Sequence, residues 1–292
     1  MQRNRYSKYG FFFVLPSFIY FLLVFFYPLI LAFWNSVHEV TILHGVGEFV
    51  GLAKFEKVYS SSGFQSSAVI TLKYVVMVVP LLLIVDLSIA NIIAGAKRRL
   101  TLNVLSTLFF LPLVTSMVSA GMVWDWIFDP SLGILNTMLR ELGLPAEIKW
   151  LRSPETALFS AAIIGVWIRM AFGIIIFIGG IDNIPSDYYE VADIDGASGT
   201  RKFFNITLPL LNPQIIMVLT VELIFAFKAF DQIYVATKGG PAGATKTIMI
   251  HLIKDVFHHD YAAANVITVT LLAFLFIISY LQRMLLRKGV EY

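Results

Sequence analysis

The 292-residue chain predicts an all-α fold, a polytopic membrane bundle of six transmembrane helices with both termini in the cytoplasm. Three observations carry this. Hydrophobic residues make up 58% of the chain and charged ones only 14%, where soluble domains hold about 25% charged residues; the mean hydropathy is +0.78. Six apolar stretches approach or exceed the ~20 helical residues that cross a hydrocarbon core. Finally, Arg3, Arg5, Lys8, Lys97, Arg98, Arg99, Arg201, Lys202, Arg283, Arg287 and Lys288 fall in the short segments assigned to one side, while the longer segments on the other side hold fewer cations. That bias orients spans with the cationic side in the cytoplasm.

The first span is Phe11–Trp34, behind a basic amino terminus. It is too long for the apolar region of a cleaved signal, and no A-x-A site follows, so it reads as a retained helix. Asn35–Ser67 is amphiphilic and reads as an external segment with a helix on the surface. Ala68–Gly95 is the second span, closed by Lys97-Arg98-Arg99. Asn103–Phe128 is the third, with Pro112 inside it. Asp129–Ala157 is external, with turn signals at Asp129-Pro130 and Leu144-Pro145. Leu158–Gly180 is the fourth span, Gln214–Ala236 the fifth and Ala262–Leu281 the sixth. Thr237–Tyr261 lies outside. No external segment is long enough for a domain of its own, so residues 1–292 form one transmembrane domain.

Between the fourth and fifth spans lies the most structured polar stretch, residues 182–213. Pro185-Ser186-Asp187 is a helix start. Tyr188, Val191 and Ile194 repeat at near-helical spacing, with Glu190 and Asp193 on another side. Gly196 stops this helix. A second short helix runs from about Thr200 to Ile206 and ends at Leu208-Pro209; Asn212-Pro213 starts the next span.

Charges inside spans are costly and therefore mark candidate functional positions. Lys73 and Asp125 sit near the outer interface, Asp125 between Trp124 and Trp126, which suits an aromatic belt. Asp86 lies deeper. Arg169 and Glu222 fall near mid-depth of the fourth and fifth spans and are placed to pair, either as structural glue or against a solute. Lys228, Asp231 and Gln232 stand at i, i+3 and i+4 and would share one helix face. With Phe225, Phe227 and Phe230 they form a polar, aromatic patch that suits a sugar as well as it suits a helix seam.

Other chemistries find little support. Net charge of +3 reflects cytoplasmic loop ends, not a nucleic-acid partner. There is no cysteine. Glu190, Asp193 and Asp195 do not share a helix face, and His258-His259 lacks a third ligand, so no metal site is expected. No G-x-x-x-x-G-K-[ST] phosphate cradle occurs, so ATP would have to be hydrolysed elsewhere. A secondary transporter would not need the long loop before the penultimate span. A membrane enzyme would need converging acid, base or metal groups.

The loop carries a resemblance. Glu190, Ala192, Asp195-Gly196-Ala197, Phe204, Ile206, Leu208-Pro209 and Pro213 are similar to the EAA loop of ATP-binding cassette (ABC) importer permeases, with Val191 where that family usually has Ala. Thr237-x-Gly239-Gly240-Pro241-x-x-x-Thr245 and Asp260-Tyr261-Ala262-Ala263-Ala264 resemble the sugar-importing branch. The resemblance implies the type I permease fold in an inner membrane and a non-catalytic subunit. Its partners would be a second, different permease, two cytoplasmic ATPase subunits that hold ATP and Mg, and an external solute-binding protein. Glu190, Ala192, Asp195, Gly196, Ala197, Leu208 and Pro209 would couple to the ATPase, and Gly239, Gly240 and Pro241 would face the binding protein. The solute would be a sugar, with glycerol phosphate or a polyol as the alternative, and would pass Arg169, Glu222, Phe225, Lys228, Asp231 and Gln232.

Overall fold

The computed structural model describes residues 3–41, 45–95, 107–257 and 259–286. The chain divides into two compact units, residues 1–65 with 252–275 and residues 66–251 with 276–292.

In the first unit, α1 (Arg3–Phe21) continues through a π-helical turn, Leu22–Phe26, into α2 (Tyr27–Ser36). Pro28 opens α2 just after this wide turn. Pro lacks the N–H that an α-turn would use, and a π-turn absorbs such a defect. A β-hairpin follows, β1 (His38–Thr41) antiparallel to β2 (Gly45–Phe49), and then α3 (Ala53–Ser60). The surface helix is as expected; the strands correct the all-α expectation. They are short, with His38 and Val40 of β1 buried and β2 exposed throughout, so their alternation is too brief to read in sequence. Lys54 of α3 reaches Glu39 at 2.9 Å and Asp260 at 3.8 Å. His38 stacks on Trp34 at 4.3 Å between ring centres.

In the second unit, α4 (Ser62–Ala94) begins earlier than the apolar stretch suggests, and α8 (Ala157–Asp182) matches the fourth span closely. The third span is not one straight helix. Thr107–Val114 (α5) and Met117–Ile127 (α6) meet at 116°. The break follows Pro112, at extended Thr115 and Ser116. Residues 96–106, including Lys97-Arg98-Arg99 and Asn103, lie outside the described residues, as does His258. Beyond α6, the loop to α8 carries α7 (Ile134–Glu141). Asn136 inside it is fully buried; its amide donates to Pro130 O and Ile148 O and accepts from Trp150 Nε1.

The loop between spans holds α9 (Ser186–Ile194) and α10 (Gly199–Leu210), joined at Gly196 with φ +69°. Leu208 and Pro209 lie within α10 and do not end it: Phe203–Thr207 widens into a π-turn just ahead of Pro209. The chain then turns 70° into α11 (Asn212–Phe227). The fifth span also departs from expectation, because α11 stops at Phe227 and a separate α12 (Asp231–Thr237) follows. The last span is α13 (Tyr261–Leu286), preceded by a π-helical His251–Val256. Among the described residues, four helices are long and apolar enough to cross a membrane, or up to six if each bent pair is one span.

Small residues decide how the second unit packs. Tyr74 of α4 presses its hydroxyl on Gly165 of α8, Asp86 presses on Gly173, and Ala90 clusters with Phe177. Both residue numbers rise together, so α4 and α8 run parallel. On α8 and α11 the order reverses: Gly180 meets Leu211, Phe177 meets Val218, and Arg169 meets Glu222. These two are antiparallel. A Cβ at Gly180 would stand 2.5 Å from Leu211 Cδ2. Glycine permits this approach, and close backbones are how helices gain packing energy where lipid offers no hydrophobic drive.

Candidate functional site: a polar cavity at a broken helix

Three elements place the site. Helix α8 carries Arg169, α11 carries Glu222 and Phe225, and the non-helical link Lys228–Phe230 leads into α12 with Asp231 and Gln232. Arg169 donates from Nε to Glu222 Oε2 at 3.0 Å and from Nη2 to Oε1 at 2.7 Å. The Glu222 side chain is 1% exposed and that of Arg169 19%, so the pair forms one wall of a cavity and is not sealed in a core. A planar guanidinium bound to both carboxylate oxygens is the strongest form of this contact. The guanidinium carbon also lies 3.7 Å from the centre of the Phe225 ring, within cation–π range.

The cavity measures about 210 Å³ and is lined by Tyr74, Val78, Met117, Gly165, Ile168, Arg169, Glu222, Phe225, Ala226 and the whole run from Lys228 to Gln232. All six residues singled out for the solute path therefore meet at one place. The reason differs from the one expected. Lys228, Asp231 and Gln232 do not share a helix face, because the helix is broken between them; the break itself turns each of them toward the same space. Phe230 lines the cavity and stacks on Tyr234 at 5.0 Å, whereas Phe227 is buried elsewhere. The charges on the wall balance: Arg169 with Glu222, Lys228 with Asp231. Tyr74 and Met117 were not legible as lining residues. Tyr74 follows Lys73, whose place near the end of the span drew the reading to the interface and away from a cavity, although Gly165, opposite Tyr74, hints at a bulky partner.

The loop after α12 is a second built feature. Gly239 has φ +87° and Lys238 φ +53°. Thr245 is fully buried; its hydroxyl donates to Gly240 O at 2.9 Å and lies 2.6 Å from the Thr237 hydroxyl. The next turn is tied down too: Ile248 N donates to Thr71 Oγ1 of α4 at 2.8 Å, and Thr247 Oγ1 to Ala229 O at 3.1 Å. Gly239 is buried, with Gly240 and Pro241 half-buried. The spaced threonines and glycines thus hold a stiff loop against the link that forms the cavity.

At the opposite end of α8, the α9–α10 loop is exposed. Tyr188, Val191 and Ile194 stand out along α9, Ile194 at 87% exposure. Glu190, Asp195, Gly196 and Pro209 are exposed as well, and Ala192, Ala197 and Leu208 half-buried. Lys202 of α10 pairs with Asp193 at 2.7 Å, and Tyr189 Oη lies 2.9 Å from Thr207 Oγ1. The loop is a braced knob with an apolar stripe outward.

Apolar helices of spanning length around a polar, charge-balanced cavity define a membrane transport component. The chain belongs to the binding-protein-dependent transport system inner membrane component family, whose profile matches residues 88–289. It is 33% identical to the trehalose/maltose transport system permease protein MalF of Thermococcus litoralis, over 95% of this chain and 92% of that protein. It is 30% identical to the sn-glycerol-3-phosphate transport system permease protein UgpA of Yersinia pestis, over 96% and 94%. Its fold resembles a chain of a bacterial ABC transporter that imports the acidic polysaccharide alginate, with TM-score 0.84 at 20% identity over 99% of this chain and 98% of that one. The same transporter has been solved in complex with an alginate pentasaccharide-bound periplasmic protein.

Proposed function

We propose that this chain is a non-catalytic permease subunit of an ABC importer in an inner membrane, carrying a sugar past the cavity at Arg169, Glu222, Phe225, Lys228, Asp231 and Gln232. The cavity is the observation that carries the reading. Its balanced charges offer hydrogen bonds without a net field, and Phe225 and Phe230 offer ring faces for the C–H surfaces of a sugar. About 210 Å³ falls below the roughly 300–1,000 Å³ of sites that engulf a drug-sized ligand, which fits passage of one sugar unit at a time. The relatives that bear carbohydrate names support the same class. Glycerol phosphate fits less well. A phosphate wants unpaired cations, and of the cations on this wall Arg169 is taken by Glu222.

In this reading six spans leave both termini in the cytoplasm, and a second, different permease completes the path. The knob at α9 seats on one of two ATPase subunits, which hold ATP and Mg, while the loop at Gly239-Gly240-Pro241 faces an external solute-binding protein. ATP-driven closure of the ATPases moves the knob, and the bundle exchanges inward- and outward-facing states. A stiff element that biases two states is what such coupling requires.

Affinity capture from gentle detergent tests this directly. The native chain is expected to bring down a second permease and an ATPase. Ile194→Asp, which changes an exposed side chain, and Gly196→Pro, which forbids φ +69°, are expected to lose the ATPase. Reconstituted uptake should favour a neutral sugar over glycerol phosphate. Capture of the chain alone, or uptake of glycerol phosphate in preference to sugars, refutes the corresponding half of the reading.

A further inference from the structure

Among the described residues, Asp86 is the one buried acid to which the transport reading above gives no role. It is 0% exposed, and neither carboxylate oxygen has a hydrogen-bond partner. Buried polar groups are ordinarily satisfied, and an intramembrane acid is costly, so an unpartnered one calls for a reason. Its surroundings supply one. The carboxyl lies on Gly173 of α8. Residue 173 is four after Arg169, hence one turn along on the same face. Arg169 uses Nε and Nη2 on Glu222, two of its five N–H donors. Two carboxylates therefore pack on α8 within one turn of the residue that carries the guanidinium, one holding it and one without a partner.

We infer that Asp86 is a positioning residue, the second carboxylate station of Arg169. In the alternate conformation of the bundle α4 slides along α8, Asp86 leaves the Gly173 notch, and Arg169 exchanges Glu222 for Asp86. The slide needed is of the order of one turn, about 5.4 Å. The exchange has a consequence for the cavity. With Arg169 on Glu222 the wall carries no free carboxylate from that pair; with Arg169 on Asp86, Glu222 faces the cavity bare. The solute then meets a different wall in each state, and a ligand shifts a two-state equilibrium only through such a difference. This extends the importer reading, but its first test does not depend on it.

The test uses spin labels at Ile92 on α4 and Ile175 on α8, both exposed, in the full chain in lipid nanodiscs, with distances from pulsed electron paramagnetic resonance. Glu222→Gln weakens the first station and should move the label distance by up to about 5 Å. Adding Asp86→Asn removes the second station and should cancel that movement. A merely structural role for Asp86 would not restore the original distance. An unchanged distribution in Glu222→Gln, or a shift that persists in the double variant, overturns the proposal. A second arm covers a failure of Glu222→Gln to insert. In the assembled importer, Asp86→Asn should lower sugar uptake about tenfold, a coupling of the usual allosteric size, with ATPase capture retained. Uptake equal to native overturns the proposal. If the native chain captures no ATPase, the importer reading fails and the label distances still decide.

Discussion

Asp86 seats its carboxyl against Gly173 so closely that a methyl group in place of the glycine hydrogen would overlap it. The contact binds α4 to α8 between the Tyr74–Gly165 and Ala90–Phe177 contacts. Gly173→Ala is therefore an overpacking change, expected to destabilise by about 1–3 kcal/mol. Asp86→Ala makes the room that the methyl needs. The double variant should recover most of the loss, and thermal unfolding in detergent followed by tryptophan fluorescence reads the recovery.

The Arg169–Glu222 pair gives a second cycle. Removing Arg169 leaves the buried Glu222 without its counter-charge, which costs about 3–5 kcal/mol. Replacing both with apolar residues of similar volume, Arg169→Met with Glu222→Leu, should cost much less in stability, because neither charge is then left alone. Transport should nevertheless be lost in the double variant, since the cavity wall has changed its chemistry. Unfolding midpoints and sugar uptake measured on the same four proteins separate the two effects.

Thr245 supplies a third. Its buried hydroxyl closes the loop on Gly240 O and Thr237. Thr245→Val keeps the shape and removes the hydroxyl, leaving acceptors unpaired at a cost of about 1–3 kcal/mol. The loss should be local, seen as faster amide hydrogen exchange in residues 238–247 with little change in α8.

A pH dependence is expected outside the membrane. Backbone N–H groups of Leu132 and Ser131, with Arg152 beside them, hold the Asp129 carboxyl below the usual carboxylate range. The folded form thus binds its proton less readily than the unfolded one. This contribution is present above the unfolded value of ~3.9 and is lost as pH falls through the lower folded value. Hydrogen exchange at Ser131 and Leu132 should rise as pH is lowered through that window, after correction for intrinsic exchange. Asp129→Asn should remove most of the dependence.

What the sequence by itself determined is the part that rests on short-range pattern and composition. Apolar length found the spans, and α8 follows its stretch almost residue for residue because nothing interrupts it. The motif from Glu190 to Pro213 and the spaced Thr237, Gly239, Gly240 and Thr245 were legible because each is a local arrangement: a left-handed bend at Gly196, a threonine closing its own loop. Arg169 and Glu222 were legible as a pair because charges at mid-depth have few alternatives. Tertiary structure decided the rest. The break at Lys228–Phe230 carries no proline or glycine, so periodicity ran straight through it; packing against α4 and the loop after α12, through Thr71 and Thr247, holds it open. The 116° bend at Ser116 and the hairpin at His38–Phe49 were hidden for like reasons, one inside a hydropathy plateau and the other too short to show a period. Which side of α8 each glycine serves, and that Asp86 sits unpartnered one turn from Arg169, follow only once three helices lie together. Such contacts join residues far apart in the chain, and no local pattern records them.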